Sequence, residues 1–170
     1  MRKLVLVSGI VVVLSGCAGM QPAQTRKEFV QKNLDGIPFS MVDRHVTKRR
    51  FEDVVNSLRR KTAECFNVDV TTRRSQSQGG ITTSQVRDEY RTTIRVVSAN
   101  RAELTTQYTS KGMINLQTVP EGGFYSRAVD IDRLTPGTTK LTYYGPSFDS
   151  GKKAWAAIKD WGDGKTTPCP

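Results

Sequence analysis

The chain has 170 residues, with 26 Lys and Arg against 16 Asp and Glu and a formal net charge of +10. That is one domain's worth of sequence, enough for a single hydrophobic core. It holds one histidine and three cysteines, which leaves little room for a zinc pair or a C-x-x-C redox site.

The N-terminus opens with Arg2 and Lys3, followed by an apolar run over residues 4–14 (LVLVSGIVVVL) and then Ser15, Gly16 and Cys17. Eleven apolar residues are too few to span a bilayer, which takes about 20. A positive start, a short apolar core and small residues are the parts of a secretory signal. Leu14-Ser15-Gly16-Cys17 resembles the lipobox of bacterial lipoproteins. The resemblance covers the first 17 residues or so. It implies cleavage before Cys17, a diacylglycerol thioether on that cysteine and a further acyl chain on its amine. Ala18, where an Asp would signal retention, implies delivery to the outer membrane. One acyl chain holds only marginally, whereas two or three anchor firmly. Removing residues 1–16 takes Lys and Arg from 26 to 24 against 16 acids, a net charge of +8. In an envelope such basicity points to an acidic partner protein or anionic lipid and away from nucleic acid.

Residues 17–36 read as lipidated N-terminus and tether, with a short helical stretch at 26–33, and residues 37–170 as the domain. A strand is expected over 37–47, its apolar residues split between faces. The spacing of Phe51, Val54, Val55, Leu58, Thr62 and Cys65 predicts an amphipathic helix over 48–65. Phe66, Val68 and Val70 begin a β region. Residues 73–85, polar and containing Gly79-Gly80, read as a long loop. Val86, Tyr90, Thr92, Ile94 and Val96 then alternate with Arg87, Glu89, Arg91, Thr93 and Arg95, a strand with one wet face. Strands follow through Ala102, Leu104, Thr106 and Tyr108, over 113–119, and through Tyr125, Arg127, Val129 and Ile131. Thr135-Pro136-Gly137-Thr138 has the signature of a type II turn. Leu141 and Tyr143 mark a last strand, and Ala154, Ala157, Ile158 and Trp161 a second helix over 149–161. The order predicts an α+β single domain, a curved antiparallel sheet of about five to seven strands packed against two helices. It resembles a helix-grip arrangement in topology alone. Some such domains hold an apolar ligand between sheet and helix, and others are solid assembly modules.

With Cys17 assigned to lipid, Cys65 and Cys169 remain, and an oxidising compartment favours a disulfide between them. A loop of about 100 residues would be worth up to ~4.7 kcal/mol in the chain-entropy account. A buried thiol at 65 and an intermolecular bridge through 169 are the alternatives.

No catalytic, metal or cofactor constellation emerges. His45 stands alone, Asp130 and Asp132 share one strand face, and residues 160–164 have too few ligands for a calcium loop. Basic residues are more suggestive. Arg87, Arg91 and Arg95 form a stripe which, with Lys48-Arg49-Arg50, Arg59-Arg60-Lys61 and the pair Arg73-Arg74, would make a surface for an anionic partner. Three functions follow. The first is a non-enzymatic, membrane-anchored periplasmic module that binds or stabilises an envelope component. The second is a carrier of a small apolar ligand, lined by Tyr143, Trp155 and Ile158. The third is a cell-wall or glycan hydrolase.

Overall fold

The computed structural model describes residues 22–77, 81–111, 113–114, 117–120 and 122–170. The leader, Cys17 and Gly79-Gly80 lie outside the described residues. The order is α1 (Arg26–Leu34), β1 (Ser40–Thr47), α2 (Phe51–Cys65), β2 (Val68–Ser77), β3 (Ile81–Ser98), β4 (Arg101–Lys111), β5 (Met113–Ile114), β6 (Gln117–Thr118), β7 (Phe124–Thr135), β8 (Thr138–Pro146) and α3 (Asp149–Gly162).

Six strands form one antiparallel sheet in the order β1-β8-β7-β4-β3-β2, which is not closed into a barrel. From β2 to β8 it is a meander, as short connections favour. β1 pairs with β8, and α2 carries the chain across the sheet to β2 at the opposite edge. The fold is thus the expected α+β single domain.

Period-2 alternation sorts the strand residues into two faces. The inner face carries Leu104, Val129, Ile131, Leu141 and Tyr143, buried with Val54, Val55 and Leu58 of α2 and Ala154, Ile158 and Trp161 of α3. Burying these apolar stripes is the main stabilising term. The cleanest periodicities in the sequence, those of α2, α3 and the inward β3–β4 residues, all converge here.

Several expectations need correction. The chain from Pro22 is more than tether. Thr25 caps α1 by accepting from the Glu28 backbone N–H at 3.2 Å, and the Gln24 N–H donates to the Glu28 carboxylate at 3.1 Å. Ala23 is buried, and its carbonyl accepts from the Tyr125 N–H at 2.9 Å. α1 lies on the outer face, so a third helix completes the domain. The short helical stretch expected at 26–33 is thus part of the domain and not of a tether, because charge, not an apolar stripe, docks it. Arg26 reaches Glu103 at 3.2 Å and also pairs with Asp130.

The polar stretch 73–85 is mostly ladder. β2 and β3 pair from Val68↔Tyr90 out to Ser77↔Ile81. Backbone hydrogen bonds hold such a hairpin arm, so its composition carries little apolar signal. Residues 113–119 do not make one strand, because β5 and β6 pair with each other as a small separate ribbon. The turn at 135–138 is not type II, because Gly137 does not adopt the positive φ that this turn requires. Side-chain bonds shape it instead, with the Gly137 N–H donating to Thr135 Oγ1 and the Thr135 and Thr138 hydroxyls 2.7 Å apart.

Candidate functional site

Cys65 and Cys169 form a disulfide, their Cα atoms 5.2 Å apart. Cys65 ends α2, and the tail after α3 folds back to meet it. Gly164 turns that tail at φ +84°, a conformation that a side chain resists. The Trp161 indole N–H then donates to the Thr167 carbonyl at 2.8 Å. Trp161 is fully buried, so the tail is tied to the core twice.

The tethered tail borders a cleft of about 490 Å³, lined by Cys65, Phe66 and Pro170 on one side, Asp149, Ser150, Lys153 and Ala154 of α3 on another, and Arg127 of β7. Arg127 occupies the inward register of β7, two residues before Val129. Its guanidinium carbon lies 4.5 Å from the centroid of the Phe66 ring. Such stacking compensates part of the lost hydration of a cation. Among the described residues no carboxylate lies within ion-pair distance of Arg127, and its buried Nε has no hydrogen-bond partner. Arg26 and Arg133 also have an unpartnered buried Nε, but their terminal nitrogens reach carboxylates. Burial pushes the nearby Tyr143 phenol up from its ordinary range, and Arg127 opposes that rise.

Beyond Arg127 the inner face continues as an aromatic row. Tyr90 and Tyr108 have centroids 5.1 Å apart, and Tyr108 and Phe124 4.9 Å. A bulge between Thr106 and Gln107 brings Phe124, not Tyr125, opposite Tyr108. Asp88 accepts from the Tyr108 hydroxyl at 2.8 Å and from the Ser110 hydroxyl at 2.7 Å. The Tyr108 phenol is raised by burial and then by its bond to Asp88. α3 starts at the cleft without a side-chain cap, so the N–H groups of its first turn lack that partner.

The basic stripe is placed differently from expectation. Arg87, Arg91 and Arg95 are on the outer face of β3, whereas Arg59 and Arg60 are on α2, across the sheet; they do not form one surface. The stripe is also matched by acids. Arg87 and Arg91 reach Asp69 at 3.1 and 2.7 Å, and Arg95 reaches Glu103 at 3.1 Å. The guanidiniums of Arg91 and Arg87 hold the Asp69 carboxyl below its usual range. Arg59 lines a separate hollow of about 310 Å³, in which Arg133 pairs with Glu52. The side chains of Arg73 and Arg74 lie outside the described residues.

Tyr143, Trp155 and Ile158 come together as expected, but as solid core. Their exposures are 0, 3 and 0%, and the Tyr143 and Trp155 rings stack at 5.2 Å. These three side chains leave no cavity among themselves, and the open space beside α3 is the Arg127 cleft. The Trp155 N–H donates to Asp43 at 2.7 Å, which holds that carboxyl low. His45 Nε2 lies 2.9 Å from Asp163. Burial pushes Asp163 up, but its hydrogen bonds from His45 and Thr47 outweigh this and leave it lowered. Both acids thereby join the edge strand β1 to α3. Asp130 is buried between Arg26, Arg101 at 3.2 Å and the Tyr144 hydroxyl at 3.1 Å, whereas Asp132 meets Lys140 at 3.4 Å. Asp160 meets Lys165 and Thr167. No three metal-ligating groups converge among the described residues.

Fold and cleft define a single-domain α+β protein in which, among the described residues, Arg127 stands on the inner face without an ion-pair partner. No protein-family model matches this sequence, and no curated protein matches it either.

Proposed function

We propose that the chain is an exported lipoprotein held at the outer membrane through Cys17, and that its domain is a non-enzymatic module binding an acidic group of an envelope component in the Arg127 cleft. The compartment is supported by the lipobox-like leader and by the Cys65–Cys169 disulfide. The observation that carries the binding reading is Arg127, a half-buried cation with no carboxylate within ion-pair distance, in a cleft that also holds Lys153, Asp149 and the uncapped start of α3. A half-buried guanidinium gains most from a planar acid that it can grip through two N–H groups. The carboxylates around His45 and Asp130 are committed to holding elements together, which supports a binding role over hydrolysis.

Crosslinking in intact envelopes, followed by purification, tests the proposal. A component captured by wild type and missing from Arg127→Gln supports it, with Cys17→Ser showing what anchoring contributes. Equal capture by wild type and Arg127→Gln would remove the cleft from the account.

A further inference from the structure

Four large apolar side chains stand exposed at one corner of the domain, Leu34 at the end of α1, Ile37 and Phe39 ahead of β1, and Phe148 between β8 and α3. Phe39 is 78% exposed and Phe148 56%. The Ser147 N–H donates to the Phe39 carbonyl at 2.8 Å, which sets the two phenylalanine segments side by side. Phe39 also has φ +62°, the only positive φ of a non-glycine among the described residues. A bulky residue rarely adopts that conformation, and strain of this kind collects at functional positions. Neither core burial nor backbone preference accounts for a phenylalanine there.

The path of the chain sets how near the N-terminal segment comes to this corner. Ala23 is bonded to β7 at Tyr125, and β7 and β1 flank β8, so the N-terminal segment joins the fold about 10 Å, two strand spacings, from the Phe39 strand. Cys17 precedes Pro22 by five positions, at most about 18 Å of extended chain.

We infer that this corner rests on the bilayer, with Phe39 and Phe148 inserted between headgroups and acyl chains. The inference rests on the reading of Cys17 as lipidated. Acyl chains hold the N-terminus at the membrane, the short lead keeps the corner within reach, and the two rings leave water for the interface. The rim carries Asp35 and Asp149 as well as Lys152 and Lys153, all exposed, so its charges cancel. Contact is therefore apolar, with little dependence on salt or on anionic lipid.

The test uses the full lipidated protein in phosphatidylcholine vesicles, with Phe39→Trp and Phe148→Trp as reporters and Val96→Trp, in β3 at the opposite end of the sheet, as control. Brominated phosphatidylcholine should quench the added emission at 39 and 148 about twofold or more and leave that at 96 unchanged, at low and high salt alike. The second reporter covers the case in which one substitution impairs folding, read from its thermal midpoint. Quenching at 39 and 148 no greater than at 96, in protein whose intact mass shows the acyl chains, overturns the inference and leaves the anchor standing. An intact mass without acyl chains overturns both. Emission changes that follow protein density instead of brominated lipid assign the corner to a second copy and overturn the bilayer contact.

Discussion

The arginines of the outer face of the sheet and Arg127 of the inner face are partnered in different ways, although Arg133, also on the inner side, pairs with Glu52 of α2. Outside, Arg26, Arg87, Arg91, Arg95 and Arg101 each face a carboxylate, and the cluster around Glu103 and Asp130 clamps α1 to the strands. Inside, Arg127 has an aromatic ring and no acid. The net positive charge therefore says little about where a partner binds. What distinguishes Arg127 is partial burial without a carboxylate, its cation facing the Phe66 ring and the Tyr143 phenol, because a cation drawn from water gains most when an acid pairs with it.

The largest expected effect concerns the frame of the cleft. Replacing Cys65 and Cys169 by serine should cost about 2–4 kcal/mol, read as a lower denaturant midpoint. It should also free the tail that forms one wall, so capture through the cleft should fall with stability. Next, Arg26→Met leaves Glu103 and Asp130, both largely buried, with fewer cations. We expect about 2 kcal/mol of destabilisation in urea unfolding. A change below 0.5 kcal/mol would mean that α1 is not clamped by charge.

Asp43 offers a pH test at the inner edge. Its carboxyl is lowered in the folded state, chiefly by the Trp155 N–H. A lowered folded value means that the stabilisation is complete above the unfolded carboxyl range, near pH 4, and is lost as pH falls through the folded value. Asp43→Asn should therefore cost about 1–2 kcal/mol at neutral pH and progressively less below pH 4. A difference between wild type and variant that stays constant with pH would contradict this role. The smallest effect is expected at the exposed stripe, where Arg91→Gln should shift stability by about 0.5 kcal/mol or less and leave partner capture intact.

What could be read from sequence followed the strength of the local pattern. The α2 stripe from Phe51 to Thr62 and the β3 alternation are dense enough to give helix, strand and buried face without tertiary information. The cysteine pairing followed from counting, once Cys17 was set aside. α1 was read only as a short helix in a tether, because its docking rests on ion pairs to residues 77 and 104 positions away, which no window of sequence contains. The β2–β3 arm was missed for a similar reason, since backbone bonding leaves no composition signature. Arg127 was legible in part. It interrupts an inward register that otherwise holds Val129 and Ile131, and a charge in an apolar register is a usable signal. Its lack of an acid is a three-dimensional fact, as is the pairing that neutralises Arg87, Arg91 and Arg95.

The comparison between the two faces is tested most directly by crosslinked envelopes from cells carrying wild type, Arg127→Gln or Arg91→Gln, with equal amounts of folded, anchored protein. The account predicts that the captured component is lost from Arg127→Gln and retained by Arg91→Gln. Retention by Arg127→Gln together with loss from Arg91→Gln would contradict it and move the binding surface to the outer face.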